Sequence, residues 1–284
     1  MAKKSARITK KTADKYALYQ RSVQDPDFEV GLAHRTYKRR VGRKPLTLRE
    51  DFCGTALLCA TWVKSHESRT AVGVDIDPTV LSWGREHNVL PLGDAAERVT
   101  LIEGDVRDAR ALRHDVVMAL NYSYFCFKRR DALRGYFESV RAHLADDGLF
   151  FLDLFGGWEA QQVLVEKRKL PGFRYIWDQR EFNPITSELL AYIHFQLGDG
   201  KKLKKAFTYD WRLWTIPELS ELLAEVGFGH VEVLWEDEEE DDKGNDVFRP
   251  RVRVENDPGW NAYLVASVAP PPLAPRNEPS ASTG

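Results

Sequence analysis

The sequence is poor in cysteine and contains no long apolar segment. Its three cysteines, Cys53, Cys59 and Cys126, are too few and too widely spaced for a disulfide framework or a structural zinc site. The apolar stretch Leu149–Phe155 is too short to span a bilayer and is interrupted by Asp153. We therefore expect a cytoplasmic protein that contacts no membrane and binds no metal.

The sequence also lacks an excess of charge of either sign. Its formal net charge is −2, and a chain without a strong positive field is not typical of nucleic-acid-binding proteins. Charge is nevertheless clustered, since Met1–Lys11 and Tyr37–Lys44 are basic and Glu236–Asp242 is acidic. No apolar run follows the first basic cluster, so it is not typical of a secretory signal. We expect the acidic run to form a solvated loop.

Between Leu46 and Leu154 short apolar runs alternate with amphipathic stretches, a pattern typical of parallel βαβ units. The predicted strands are Leu46–Arg49, Thr70–Val74, Val99–Glu103, Asp115–Leu120 and Leu149–Leu154. The predicted helices are Ala56–Ser65, Pro78–His87 and Arg130–Leu144.

The pattern changes after Asp153. Three strands joined by turns predict an antiparallel insert: Arg174–Phe182, Leu189–Leu197 and Leu203–Trp211. Thr215 and Glu218 form a capping-box pattern before a helix over 217–226. Two closing strands, Val231–Trp235 and Asn261–Val268, bring the predicted sheet to seven strands.

The fold class predicted is α/β, with a doubly wound, mostly parallel seven-stranded Rossmann-like sheet and an antiparallel β insert after the fifth strand. The predicted segments are an N-terminal helical cap (1–44), a cofactor-binding core (45–155), an insert serving as a lid or homodimer contact (156–213), the C-terminal part of the core sheet (214–269) and a disordered tail (270–284).

Two segments at strand ends indicate a nucleoside site. In the first, Glu50 ends a strand and Gly54 supplies the small residue that a sharp turn against a ligand requires. In the second, Asp75 lies 21 positions after Gly54, close to the separation of about 20 that places a carboxylate on ribose hydroxyls. Ile76 is predicted to lie against adenine, and Asp77 before Pro78 is suited to an N-cap.

The segment from Glu50 resembles the first motif of class I S-adenosylmethionine-dependent methyltransferases, acid-x-Gly-x-Gly-x-Gly. Phe52 and Ala56 stand where the outer glycines would be, and Phe52 is expected to pack beside the cofactor. The segment Ile102–Asp108 resembles the third motif. That resemblance implies that Asp105 accepts a hydrogen bond from the adenine amino group and that the N–H of Val106 meets a ring nitrogen.

The segment Asp115–Tyr124 resembles the fourth motif of the same family. The resemblance implies that Asn121 contacts the cofactor and that Asn121 and Tyr124 are catalytic. Because the prolines of the family's Asn-Pro-Pro-Tyr variant are absent, methylation of base or glutamine amino groups is not inferred. A dehydrogenase is disfavoured because only Gly54 of a Gly-x-Gly-x-x-Gly fingerprint is present.

Aromatic residues mark the predicted acceptor side. The helix Lys15–Gln20 is expected to cap the cofactor, with Tyr19 in contact with it. Arg212 is assigned a catalytic role in holding an anionic substrate group. The insert also carries a set of aromatic residues, which would either form a wall beside the sulfonium or pack within the insert sheet. These residues are Tyr175, Trp177, His194, Tyr209, Trp211 and Trp214.

The function predicted is an S-adenosylmethionine-dependent methyltransferase that acts on a small-molecule acceptor, with nitrogen slightly favoured over oxygen. One alternative is a methyltransferase acting on RNA or protein, guided by the basic segment Met1–Lys11. A second is a non-enzymatic protein that binds S-adenosylmethionine for structure or sensing.

Overall fold

The computed structural model describes residues 8–108, 112–236 and 247–269. The predicted disordered tail, most of the acidic run and the first seven residues of the basic N-terminal segment lie outside these ranges. Two sheets organise the described part, one of eight strands and one of four. No helix in these ranges is both long and apolar enough to cross a membrane.

The elements are as follows. The helices are α1 Lys15–Val23, α2 Pro26–Val41, α3 Leu57–Lys64, α4 Pro78–Gly84, α5 Arg130–His143 and α6 Ile216–Glu225. The core strands are β1 Thr47–Asp51, β2 Thr70–Asp75, β3 Val99–Glu103, β4 His114–Ala119, β5 Leu144–Gly156, β10 His230–Glu236, β11 Phe248–Pro250 and β12 Trp260–Ser267. The insert strands are β6 Leu164–Leu170, β7 Phe173–Asn183, β8 Glu188–Leu197 and β9 Lys202–Arg212.

The core sheet has the order β3-β2-β1-β4-β5-β12-β10-β11. The five strands from β3 to β5 are parallel, and β12 joins β5 in the antiparallel direction. The carboxyl ends of β1 to β5 therefore share one edge, and ligands bind at that edge in sheets of this kind. The prediction of a mostly parallel α/β sheet is confirmed.

Two strands were not predicted. The core sheet has eight strands and not seven, because the three-residue β11 pairs with the end of β10. The insert has four strands and not three, because β6 pairs along the whole of its length with β7. β6 carries mostly exposed charged side chains, as edge strands often do, and so gives no apolar signal in the sequence.

Polar caps fix where several helices begin. Asp25 accepts from the Phe28 N–H at the start of α2, and Asp77 accepts from the Thr79 N–H at the start of α4. The predicted capping box of α6 is present in full, since Thr215 and Glu218 bond each other's backbone N–H groups. These caps set the first turns of α2 and α4 near the carboxyl edge of the sheet.

Apolar layers cover both faces of the core sheet. On one face, α5 and α6 pack Phe137, Leu219 and Leu223 against the strands. On the other, α2 and α3 bury Ala33 and Trp62. The insert packs its own apolar face around α1, so α1 lies between the insert and the core.

Candidate active site

The loop between β1 and α3 has an unusual backbone conformation. Phe52, Gly54 and Ala56 all have positive φ angles, of 57°, 50° and 54°. These are the three positions at which the first methyltransferase motif carries glycine. A left-handed conformation costs a non-glycine residue about 1–2 kcal/mol, and such outliers cluster at ligand sites. The loop therefore keeps the path of a glycine-rich turn although two of its three glycines are replaced.

Asp75 holds this loop in place. Its carboxylate accepts from the Gly54 N–H at 2.8 Å and from the Asp77 N–H at 3.0 Å. A Cβ at Gly84 would lie 2.4 Å from the carbonyl oxygen of Thr55, so a glycine is needed where α4 approaches the loop. The Ile76 side chain is 70% exposed directly beside Asp75, an apolar surface available to a ligand. The structure thus brings Gly54, Asp75 and Ile76 together at one edge of the sheet.

Glu50 and Asp105, the other two acids predicted at the cofactor site, are engaged by other partners and do not converge on Asp75. Glu50 is buried and accepts from the N–H and the thiol of Cys59 at 3.1 and 3.0 Å. Burial raises the pKa of this carboxyl to about 8. Asp105 forms an ion pair with Arg107 at 2.6 Å, which lowers the pKa of Asp105. Glu50 therefore supports the loop from beneath, and a ligand that bonds the Asp105 carboxylate has to share it with Arg107.

Val106 is buried, and its carbonyl links the loop after β3 to β1. The Arg49 guanidinium donates to this carbonyl at 2.8 Å and to Asp51 at 2.7 Å. The Tyr136 hydroxyl donates to the other oxygen of Asp51 at 2.9 Å. Arg49 and Asp51 are both fully buried, so this ion pair fixes the backbone next to the predicted adenine position.

Asn121 and Tyr122 form a strained turn after β4. Both have a φ of 57°, and both backbone N–H groups donate to the Asp153 carboxylate, at 2.8 and 2.9 Å. Burial raises the pKa of Asp153 to about 7. The Tyr122 hydroxyl donates to Asn261 at 2.5 Å. This clamp holds both side chains at the mouth of a cavity.

The cavity has a volume of about 650 Å³ and lies between the insert, α1 and the ends of β5 and β12. Its size fits a small-molecule ligand. One face of the insert sheet forms its wall, and the predicted residues Tyr19 and Asn121 also line it. The other aromatic lining residues are Tyr122, Phe155, Tyr175, Trp177, Tyr209, Trp211 and Trp260. The other polar lining residues are Ser22, Glu159, Glu166, Arg168, Gln179 and Asn261.

Helix α1 lies between this cavity and the loop after β1. Gln20 donates to the Thr55 hydroxyl at 2.8 Å, and Trp83 of α4 donates to Asp14 at 2.7 Å. Tyr19 packs against Phe207 of the insert, with the ring centres 4.8 Å apart. The helix thus extends from the loop after β1 to the insert, and its role as a cofactor cap stays a prediction.

Two residues assigned catalytic roles from the sequence do not line the cavity. Tyr124 is buried in the core, and its hydroxyl donates to the carbonyl of Asp153 at 2.7 Å. Arg212 stacks on Trp214 and donates to Glu218 at 3.0 Å and to the carbonyl of Lys128 at 3.2 Å. These contacts make Tyr124 a core residue and Arg212 a link between insert and core.

The insert residues named from the sequence divide by face. Tyr175, Trp177, Tyr209 and Trp211 line the cavity because alternate residues of a strand share one side of the sheet. His194 faces the other side, where it contacts Asp178 at 3.2 Å. Trp214 belongs to the core cluster, and its indole donates to the carbonyl of Phe127 at 3.2 Å.

Sequence reasoning missed the residues that shape the cavity from the core side. Asp153 reads as an acid within an apolar strand, and that interruption is the one signal of a special role. Glu159 and Asn261 lie far apart in the chain and carry no motif. They meet because β12 pairs with β5, with Asn261 opposite Phe155. Within the described ranges, no group of three or more His, Cys, Asp or Glu side chains is placed to hold a metal ion.

Solved structures provide the comparison that decides the fold. An S-adenosylmethionine-dependent methyltransferase from Clostridium acetobutylicum ATCC 824 aligns with a TM-score of 0.64 at 16% identity, over 90% of this chain and 98% of that one. The sugar N-methyltransferase KedS8 from Streptoalloteichus sp ATCC 53650 aligns with a TM-score of 0.60 at 17% identity, over 94% and 98%. The glycopeptide N-methyltransferase MtfA, complexed with S-adenosylmethionine, aligns with a TM-score of 0.54 at 22% identity, over 87% of this chain and 96% of that one.

The chain has the class I methyltransferase fold. At these identities the likeness concerns the fold, and the alignments include the insert because they span nearly the whole of each chain. No family model and no curated protein sequence matches the chain. The β1 loop and the Asp75 contact of this methyltransferase fold lie at the carboxyl edge of its sheet, where such folds bind ligands.

Proposed function

We propose that the protein is an S-adenosylmethionine-dependent methyltransferase acting on an amine of a small molecule. The observation that carries the proposal is the loop after β1. Phe52, Gly54 and Ala56 have positive φ angles there, and the Asp75 carboxylate accepts from the Gly54 N–H, in a sheet of the methyltransferase fold. Strain of this kind is retained where a backbone must approach a ligand closely.

The residues around the loop fit the proposed cofactor. Asp75 offers carboxylate oxygens to ribose hydroxyls, and the exposed Ile76 offers an apolar surface to adenine. Asn121 and Tyr19 would meet the amino-acid end, because they line the neighbouring cavity under α1. When bound, S-adenosylmethionine supplies an electrophilic methyl group.

The chain's own part in the reaction is to orient the acceptor and to exclude water. The insert would act as a lid, because its inner face forms the cavity wall. Trp177 and Trp211 offer π faces that favour a cationic ligand, and Glu159 and Glu166 add carboxylates. A protonated amine would be drawn to this cavity and would react after losing its proton.

The choice of nitrogen over oxygen is supported by the names of two similar structures. MtfA and KedS8 are named as N-methyltransferases of a glycopeptide and a sugar. These names favour an amine carried by a polar small molecule.

A transfer assay with a matched pair of variants tests the proposal. Amines and alcohols would be incubated with the protein and S-adenosylmethionine, and products examined by mass spectrometry for added methyl groups. Trp177→Leu should lower kcat/KM for the active acceptor by about tenfold or more, as expected for an aromatic anchor in a pocket. Trp158→Leu is the control, because Trp158 is exposed and does not line the cavity.

Transfer to amines with the expected difference between Trp177 and Trp158 supports the proposal. Binding of S-adenosylmethionine without transfer to any acceptor would favour the non-enzymatic alternative. Transfer to RNA or protein alone would favour the macromolecular one.

A further inference from the structure

Glu29 is a buried acid in the first turn of α2, and its side chain is 8% exposed. The far end of α2 reaches the opposite edge of the sheet. There the Tyr37 hydroxyl contacts Asp115 at the start of β4, and Arg40 donates to Ser267 at the end of β12. The first turn of α2 therefore lies at the carboxyl edge, beside the proposed cofactor site.

The residue before Glu29 places it near the end of β5, because Phe28 packs against Tyr263 of β12, with ring centres 6.2 Å apart, and Tyr263 lies opposite Asp153. The carboxyl groups of Asp153, Glu50 and Asp25 act on Glu29 electrostatically. Together with burial, these three carboxyl groups hold the pKa of Glu29 well above its ordinary value. Three phenol groups lie in the same electrostatic neighbourhood, those of Tyr19, Tyr122 and Tyr263.

Glu29 differs from its two acidic neighbours in having no partner. Glu50 is bonded by Cys59 and Asp153 by two backbone N–H groups. Across residues 8–108, 112–236 and 247–269, no hydrogen bond or ion pair reaches the Glu29 side chain. A carboxyl group that is nine-tenths buried and lacks both has oxygen atoms available to a ligand, and a positively charged donor would favour its ionised form.

Buried cations of the neighbouring elements are already used. Arg40, on α2 itself, donates to Ser267, and Arg49 of β1 is paired with Asp51. The described protein therefore offers Glu29 no counter-ion. Of the three buried carboxyl groups Glu29, Glu50 and Asp153, Glu29 is thus the one whose oxygen atoms are left for a ligand.

We propose that Glu29 receives the α-ammonium group of S-adenosylmethionine, an assignment that rests on the proposed function. An ammonium group carries three N–H donors that need acceptors, whereas a sulfonium has none and suits the aromatic faces of the cavity. The nucleoside of S-adenosylmethionine would lie on the Asp75 side of the site. Its amino-acid end would extend toward β5, on whose side Glu29 and Asp153 lie.

Calorimetric titrations of three ligands test this assignment. S-adenosylmethionine and S-adenosylhomocysteine both carry the ammonium group, whereas 5′-methylthioadenosine lacks the amino-acid end. Glu29→Gln keeps the shape of the side chain and should weaken the first two by about 10- to 100-fold, the range for a hydrogen bond to a charged group, and leave the third nearly unchanged. The control is Asp27→Asn, an exposed acid in the same turn, which should alter none of them.

Each other outcome has a distinct meaning. Unchanged affinities in Glu29→Gln would overturn the inference and leave the proposed function standing. Weaker binding of S-adenosylmethionine alone would assign Glu29 to the sulfonium and overturn the ammonium role. A wild-type protein that binds none of the three ligands would contradict the proposed function itself.

The stability of the ligand-free protein provides a second readout. Because Glu29 is buried without a cation, Glu29→Gln should raise the Tm of the ligand-free protein at mildly alkaline pH and reduce the rise in Tm that S-adenosylmethionine produces. A lower Tm in the ligand-free variant would mark Glu29 as a structural residue and overturn the inference.

Discussion

At the scale of single residues, the loop after β1 combines strain with packing. Phe52 has a left-handed backbone, yet its ring contacts Phe127 and Tyr136 with centres 5.9 and 5.5 Å apart. Ala56 is likewise left-handed and is fully buried at the start of α3. The phenyl ring fills space beneath the loop that a glycine would leave open, which offsets part of the cost of the backbone conformation.

A pair of alanine-to-glycine variants measures the strain at Ala56. Ala56→Gly relieves about 1–2 kcal/mol of left-handed strain but loses a buried methyl group worth about 0.8 kcal/mol. We expect its free energy of unfolding to change by less than about 1 kcal/mol. Ala60→Gly, inside α3, loses a methyl group and about 1 kcal/mol of helix propensity. Urea unfolding of both variants checks this, and equal losses would contradict strain at Ala56.

The sequence located residues whose role depends on local spacing. Gly54, Asp75 and Ile76 could be assigned because a strand, a sharp turn and the next strand end form one βαβ unit. Glu29 and Asp153 could not be assigned, because their roles depend on residues that are distant in the chain and close in the fold. Glu29 reads only as a favourable acid in the first turn of a helix. Tyr124 was misassigned because its hydroxyl turns back to the backbone of β5.

At the scale of elements, α1 is held by few polar contacts to the core. Gln20 bonds Thr55, and Asp14 bonds Trp83. The insert side contributes apolar contacts to Leu18 and Tyr19, and hydrogen bonds join Arg21 to the carbonyl of Pro171 and Arg168 to the carbonyl of Ser22. We expect this helix to open to admit a ligand at a cost below that of global unfolding.

Hydrogen exchange tests whether α1 acts as a cover. Amides of α1 should exchange more slowly when S-adenosylmethionine is bound, whereas amides of α5, on the other face of the sheet, should be unaffected. Gln20→Ala should speed exchange in α1 of the ligand-free protein, because it removes the bond to Thr55. Equal exchange rates in α1 with and without the ligand would contradict the covering role.

Elements with strong apolar periodicity were predicted well, and those without it were not. The alternation is clearest in β8, where every second residue is buried, whereas β7 and β9 were recognised from their β-branched and aromatic residues and the turns between them. The exposed β6 and the three-residue β11 lack that signal. α2 was foreseen only as part of a helical cap, and its basic last turn gave no sign that it spans the sheet.

At the scale of the whole molecule, buried acids determine how stability depends on pH. The pKa of Glu50 is raised to about 8 and that of Asp153 to about 7, and that of Glu29 is also raised. Between about pH 7 and 8 the folded protein then binds more protons than the unfolded chain, so stability falls as pH rises through that window. Below about pH 7 the histidines whose pKa values are lowered by burial act in the opposite direction: His34, His114, His143 and His230. Asp115 likewise acts in this opposite direction, because its pKa is lowered beside Arg43. Its contribution to the free energy of unfolding is lost as the solution becomes more acidic.

Unfolding measured across this pH range checks the sign. We expect the free energy of unfolding of the ligand-free protein to decline between about pH 7 and 8, with a slope of at most about 1.4 kcal/mol per pH unit for each extra proton bound. Glu50→Gln should flatten the slope in that window, because the amide does not ionise. Glu67→Gln, on the exposed turn after α3, is the control and should leave the slope unchanged. A wild-type stability that rises between about pH 7 and 8 would contradict the assignment of raised pKa values.

The proposed function requires that the Asp75 edge of this sheet bind S-adenosylmethionine, and calorimetric titration of that ligand is the decisive experiment. The wild-type protein should show saturable one-to-one binding. Asp75→Ala should weaken binding at least about tenfold while the circular dichroism spectrum is retained. Asp108→Ala, an exposed acid after β3, should bind like the wild type. The absence of binding by the wild type, or equal affinity in Asp75→Ala, would show that this edge is not the cofactor site.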